Sequence, residues 1–246
     1  MKRTLLNSIL KLVENTNIGK NNASNLNNWV KNELESIEKG LTILDVGAGT
    51  APHKKHCSHL NYKSHDFAKY NSDGDGKGLQ KSNLEYVDLD YVSDITNLDI
   101  NDESIDVILC TEVLEHIPDP ISAINEMKRV LKIGGKIILT TPFNSVTHWS
   151  PFFFYPGFSP NFFEHYLKDN FSIKKLNLSG DYFSYVSQEL RRLQSVNYKY
   201  SKINTSFLFE IALRYVLRIL NKMMLKDSGS EELLAYGVFV TATRIS

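Results

Sequence analysis

The residues with the clearest chemical potential are Asp45-Val46-Gly47-Ala48-Gly49, two glycines one residue apart directly after the apolar run Leu41–Val46. A short apolar run closed by glycines reads as a buried strand. Glycines let the backbone turn tightly and approach a ligand with no Cβ in the way. The loop then sits at the carboxyl end of a first strand, where doubly wound sheets bind ligands. A dinucleotide fingerprint needs Gly or Ala at position 52, and Pro52 stands there; no Gly-Lys-Ser/Thr follows to make a Walker loop. Alone, such a loop is as readily a plain structural turn.

Other groups suited to chemistry follow at intervals. Asp66 in Ser64-His65-Asp66-Phe67 falls near the end of a second strand, and a carboxylate there can accept two hydroxyl hydrogen bonds strengthened by its charge. Asp94-Ile95 follows a third strand within Tyr86–Asp94. After a fourth strand, Ser104–Cys110, comes Thr111-Glu112-Val113-Leu114-Glu115-His116, and a second histidine, His148, lies beyond a fifth strand. Histidine is the side chain best placed to exchange a proton near neutral pH. His116 leads as a candidate base and His148 is second, with packing roles the alternative for both. Cys57 and Cys110 make neither a close-spaced metal pattern nor a disulfide scaffold. Asp73-Gly74-Asp75-Gly76 is no calcium loop, because its twelfth position is Leu84. No metal is expected.

The elements needed to hold these residues can be read around them. Residues 1–38 read as two helices, an apolar one through Leu5–Val13 and another from about Leu26 to Ile37, split by an Asn-rich break at 15–28. Tyr62–Asp66 is the second strand, and 71–82 a Gly-rich exposed loop. Asp119–Leu131 has the apolar spacing of an amphipathic helix. Lys132–Gly135 turns out of it into a fifth strand, Lys136–Thr141. Two more strands are expected near Phe171–Leu178 and Tyr236–Thr243, separated by a helical insertion at 183–226. The alternation predicts an α/β fold: a doubly wound, Rossmann-like, seven-stranded, mostly parallel sheet with helices on both faces. One domain spans 1–246, with a core at 41–180, the insertion as a lid, and the final strand within 235–245.

At this point the chain resembles the class I S-adenosylmethionine-dependent methyltransferases, in particular the broad type 11 group. Asp45, Gly47 and Gly49 match their acidic-x-Gly-x-Gly motif. Glu112-Val113-Leu114-Glu115-His116 is similar to their Glu-Val-Leu-Glu-His segment, and Leu131-Lys132-Ile133-Gly134-Gly135 to their Leu-Lys-Pro-Gly-Gly turn, with Ile133 in place of Pro. The resemblance covers about 41–170 and the last strand. It implies S-adenosylmethionine as cofactor, held by Asp45, Gly47, Ala48, Gly49, Asp66, Phe67, Asp94, Ile95, Thr111 and Glu112. Asp66 would hold the ribose hydroxyls, and Asp94-Ile95 would lie beside the adenine. It implies transferase activity, with a nicotinamide oxidoreductase or a non-catalytic cofactor-binding partner protein as rivals.

Acceptor and setting are read from what remains. The 246 residues carry no net charge and 42% apolar residues, enough for a substantial core and against a broad nucleic-acid footprint. Residues 143–166 contain ten aromatics, able to stack on a sugar, a ring or an acyl chain, or equally to cap the sheet. Glu210, Arg214, Arg218, Lys222 and Lys226 form a polar stripe on an otherwise apolar helix. That helix, within 203–226, suits a core or lid role, a homodimer contact or a peripheral membrane contact. The start, Met1-Lys2-Arg3, lacks a sustained apolar signal segment, and a cytoplasmic location is expected. The expected reaction is O-methylation of a small-molecule or glycan-type acceptor, with lipid or protein acceptors as alternatives.

Overall fold

The computed structural model describes residues 16–70, 74–79 and 86–246. The helix expected through Leu5–Val13 and parts of the 71–82 loop lie outside the described residues. The described residues form two compact units: one from those within 26–177 and 237–246, the other from 16–25 and 178–236.

The larger unit carries the sheet. In chain order its strands are β1 (Thr42–Val46), β2 (Asn61–Asp66), β3 (Tyr91–Val92), β4 (Ile105–Thr111), β5 (Leu131–Pro142), β6 (Phe171–Ser179) and β7 (Gly237–Arg244). Their spatial order is β3-β2-β1-β4-β5-β7-β6. Pairings among β1 to β5 are parallel and β7 runs antiparallel to β5. This is the expected Rossmann-like α/β sheet. Because β1 to β5 are parallel, all their carboxyl ends emerge along one edge, and the chemistry-bearing loops gather there.

Strand alternation sorts the core. Ile43, Val107, Leu109 and Ile138 face helix α1 (Asn22–Glu35), which buries Val30 and Leu34 against them. Leu44, Ile108, Ile137 and Leu139 point to the opposite face and are equally buried. Helix α1 starts before the predicted Leu26, so residues 22–28 of the Asn-rich stretch are helical rather than broken. Tertiary burial of Val30 and Leu34 outweighs the weak helix preference of Asn. Glu33 on α1 is buried, receiving Lys175 Nζ at 2.5 Å and Thr241 Oγ1 at 3.1 Å.

Helix α2 (Pro120–Val130) begins where Asp119 accepts the Ser122 amide at 3.0 Å, with Pro120 at the first helical position. Strand β5 follows at once: Leu131 already pairs with Ile105, and the register shifts between Ile105 and Val107. The turn expected at 132–135 is therefore an irregular start to the strand. Helix α3 (Pro160–Leu167), unforeseen inside the aromatic run, starts after Ser159 with proline in its first turn and buries Phe163 and Leu167.

The smaller unit holds helices α4 (Tyr182–Val196) and α5 (Phe207–Met224), joined through a π-turn at Asn197–Ser201. Asp181 caps α4 by accepting the Ser184 amide at 2.9 Å. Arg191 Nε donates to the Ile18 carbonyl at 2.7 Å, and Tyr236 Oη to the Ser184 carbonyl at 3.1 Å.

Candidate active site

The glycine loop emerges from β1 with positive φ at Gly47 (+74°) and Gly49 (+52°). A Cβ on Gly47 would meet Val113 Cγ2 at 2.4 Å, so glycine there lets the loop close onto the segment after β4. A Cβ on Gly49 would meet nothing within 4 Å, so that side of the loop opens into space.

The loop amides decide which ligand fits. Gly47 and Ala48 both donate to the His65 carbonyl, at 2.8 and 2.9 Å. Gly49 donates to Asp66 Oδ2 at 3.0 Å, and Ala68 donates to Oδ1 at 2.9 Å. A phosphate cradle requires such N–H groups to point at the ligand, normally backed by a helix N-terminus. Here they are spent inside the protein, and a short 3-10 turn, Lys54–His56, follows in place of a helix. What the loop presents is the Asp66 carboxylate, with further lone pairs on both oxygens. That chemistry fits ribose hydroxyls and disfavours a pyrophosphate.

Asp45 is buried one step before the loop, and Tyr62 Oη donates to it at 2.5 Å. Burial pushes its carboxyl up to about 7, against the lowering effect of the Tyr62 bond, while Asp66 adds a smaller push upward. Phe67 packs edge-on against Phe152, with ring centroids 5.0 Å apart. Asp94 is exposed; its carboxylate closes a turn by accepting the Thr96 amide at 2.9 Å and hydroxyl at 2.8 Å, and these bonds hold it below the usual carboxylate range. Ile95 beside it is buried. Thr111 ends β4 paired with Thr140, and Glu112 turns the chain with φ +55° while its amide donates to the Thr140 carbonyl at 2.9 Å. Left-handed backbone at a residue other than glycine stores strain of the kind that gathers at functional sites.

Thirty-two residues apart in sequence, His116 and His148 meet edge to face, 4.9 Å between centroids. His116 Nδ1 bonds the Phe152 carbonyl, and His148 Nδ1 bonds the Val146 carbonyl at 2.9 Å. A carbonyl only accepts, so each Nδ1 carries the proton in the neutral ring, and His116 Nε2 is left with its lone pair. Burial pushes His116 down to about 4, the neighbouring His148 adds to this, and the Phe152 bond opposes it. His116 is therefore neutral at physiological pH. Its Nε2 lies 3.7 Å from Glu115 Oε1. Glu115 is fully buried, and burial followed by repulsion from Glu112 raises its carboxyl well above the ordinary range. Donor atoms of Glu115, His116 and His148 lie within 4.8 Å of one another, a span a divalent ion can bridge.

The aromatic run divides in two. Trp149 stacks on Tyr70 at 4.9 Å, and Phe152 and Phe153 flank Phe67, His116 and His148. Phe158, Phe162, Phe163 and Tyr166 pack among themselves around α3. Trp149 and Phe153 line the histidine pair, whereas Phe158 and Phe163 are buried in the core and Tyr166 stays exposed. The segment 147–150 is tied to the 74–79 loop by Leu79 N to Thr147 O at 2.8 Å and Asp75 N to Ser150 O at 3.2 Å.

The structure brings Asp45, Gly47, Ala48, Gly49, Asp66 and Phe67 to one strand edge and sets His116 beside His148. Asp94 reaches its own turn rather than that cluster. Tyr62 and Tyr70 were missed in the sequence: Tyr62 reaches Asp45 across the paired strands and Tyr70 meets Trp149 and Phe152 from a loop, and no local spacing announces either contact.

A methyltransferase-domain family matches residues 44–139. The ubiquinone biosynthesis O-methyltransferase of Aliivibrio fischeri (strain MJ11) is 29% identical over 113 residues, covering 42% of this chain and 44% of that protein. The chain thus spans less than half the length of the curated relatives it matches in this way. Among solved structures, the cyclase SpnF superposes with a TM-score of 0.54 at 18% identity, covering 89% of this chain and 80% of that one. Phosphoethanolamine N-methyltransferase 2 of Haemonchus contortus, in complex with S-adenosyl-L-methionine, gives 0.52 at 15% identity, covering 89% and 52%. These likenesses are of fold.

Proposed function

We propose that this chain, whose residues 44–139 match a methyltransferase-domain family, transfers a methyl group from S-adenosylmethionine to a hydroxyl oxygen of a small-molecule or glycan-type acceptor. The observation that carries the donor assignment is the commitment of the Gly47, Ala48 and Gly49 amides to His65 and Asp66. A loop without outward amides suits a nucleoside that bears no phosphate, and S-adenosylmethionine is such a molecule.

The residues take distinct parts. Gly47 and Gly49 admit the ligand to the backbone, Asp66 accepts the ribose hydroxyls, and Ile95 supplies a buried apolar neighbour for the base. When bound, the cofactor supplies an electrophilic sulfonium methyl, open to in-line attack. Much of the acceleration then comes from holding the acceptor at near-attack distance, which is worth roughly 7–11 kcal/mol in favourable cases. The aromatic surface of Trp149, Phe152 and Phe153 provides that hold. His116 is kept neutral by burial, and its Nε2 receives the hydroxyl proton as the oxygen attacks. Its ring orientation is set by the Phe152 carbonyl and by the edge contact with His148. The naming of similar sequences as O-methyltransferases supports oxygen as the accepting atom.

The test is methyl-labelled S-adenosylmethionine with a panel of phenol, catechol and sugar hydroxyl acceptors. Wild type is expected to label at least one class. His116→Gln is expected to lose about 10²–10⁴-fold in turnover, with cofactor affinity within twofold. Transfer unchanged in His116→Gln would remove His116 as the base. Cofactor binding without transfer to any of the hydroxyl acceptors would remove the acceptor assignment.

A further inference from the structure

Helix α5 carries an apolar stripe toward solvent. Leu208, Ala212, Tyr215, Ile219 and Met223 recur every three or four residues along one stripe, and all are exposed, Leu208 at 74% and Tyr215 at 60%. The charged residues Glu210, Arg214 and Arg218 are only partly exposed, and Glu210 receives Gln194 Nε2. Within the helix only Leu217 is fully buried. Phe209, Leu213 and Leu220 are half-buried beside Leu217, so the helix is apolar on its packed side and on this exposed stripe as well, whereas an ordinary surface helix turns a polar face to solvent.

Lysines flank the apolar stripe at both ends. Lys222 and Lys226 are exposed at its carboxyl end, beyond which Asp227 is half-buried and held by the Ser230 amide at 3.2 Å while Glu232 is exposed, and Lys199 and Lys202 are exposed on the connector leading into it. That connector also exposes Tyr198 at 84%, Tyr200 and Ile203. No helix among the described residues is long and apolar enough to cross a membrane. Tyrosines and lysines bordering an apolar stripe are the composition of a helix lying in a membrane interface, where lysine stems follow the apolar surface and their heads reach anionic groups.

Charge discriminates between occupants. In a two-fold contact between copies of this helix, basic ends meet basic ends whether the helices run parallel or antiparallel. An anionic lipid surface covers the apolar stripe and neutralises both ends together. We infer that α5 and its connector dock this protein on an anionic lipid surface, with the helix lying in the plane of the interface.

Flotation of the full chain with phosphatidylcholine vesicles, with and without a quarter phosphatidylglycerol, tests this. Binding is expected to the anionic vesicles, to weaken with salt, and to be lost more than tenfold in Leu208→Ser/Tyr215→Ser/Ile219→Ser. Lys222→Glu/Lys226→Glu is expected to weaken it by at least tenfold, since each lysine near such a surface contributes about fivefold. These positions are exposed, so circular dichroism is expected to be unchanged. Failure of wild type to float with anionic vesicles would overturn the proposal, as would equal flotation of the triple serine variant. Dimerisation in sedimentation that the triple variant abolishes and vesicles do not disturb would assign the face to a second copy instead. None of these outcomes depends on methyl transfer.

Discussion

The Gly49 amide donates to the Asp66 carboxylate at 3.0 Å, across the gap between the first two strands. This bond locks the loop to the residue that would read the ligand. It turns an amide that could have faced a phosphate into support for a carboxylate. The glycine spacing alone leaves the ligand class open, whereas this contact favours a phosphate-free nucleoside.

The two loop glycines are expected to fail differently. Gly47→Ala forces a Cβ onto Val113 at left-handed φ and is expected to cost about 1–3 kcal/mol of stability. Val113→Ala in the same chain should recover part of that loss in denaturant melts. Gly49→Ala meets no atom, so backbone strain of about 1–2 kcal/mol is its whole cost. Its new methyl enters the open side of the loop, and cofactor affinity is expected to fall at least tenfold by calorimetry.

Asp45 should leave a signature in stability against pH. Its folded pKa of about 7 lies above the ordinary 3.8, so the stability it contributes is complete below 3.8 and is lost as pH rises through 7. Asp45→Asn keeps an acceptor for Tyr62 and removes the titration. The variant is expected to gain on wild type by at most about 1.4 kcal/mol per pH unit between pH 4 and 7, then level off. His53 and His116, both pushed down to about 4, act in the other direction. Their stability is complete above 6.5 and is lost as pH falls from there toward 4. Chemical denaturation from pH 4 to 8 measures both trends.

Arg244 ties the end of β7 to the end of α2. Its guanidinium donates to the carbonyls of Lys128, at 2.9 Å, and Leu131, and to Glu103 Oε1 at 3.0 Å. Arg244→Leu strands those carbonyls and is expected to cost about 2–4 kcal/mol. A melting-temperature drop of about 5–15 °C is expected, with cofactor affinity unchanged. A drop under 2 °C would show that solvent satisfies those carbonyls.

Sequence spacing carried the features that are local. Leu41–Gly49 reads as strand and turn because both signals sit within ten residues, and Asp66 follows at the end of the next apolar segment. Glu112–His116 is contiguous. The contacts that make these residues a site are not local. Tyr62 reaches Asp45 across paired strands, and Trp149 finds Tyr70 only after the 143–152 segment folds back. Helix α3 was hidden because an aromatic run satisfies helix, strand and loop patterns alike. On α5 the charged stripe was visible in the sequence, but the side facing solvent is set by packing on α4, which periodicity alone does not encode.

The loop after β1, with Asp66, is expected to bind a phosphate-free adenosine sulfur compound. Calorimetry of the full chain with S-adenosylhomocysteine and, separately, NAD tests it most directly. Saturable binding of the sulfur nucleoside is expected, with none of NAD and a loss of about 1.5–3 kcal/mol in Asp66→Ala, the size of a charge-assisted hydrogen bond to hydroxyls. Binding of NAD, or sulfur-nucleoside affinity unchanged in Asp66→Ala, would contradict it.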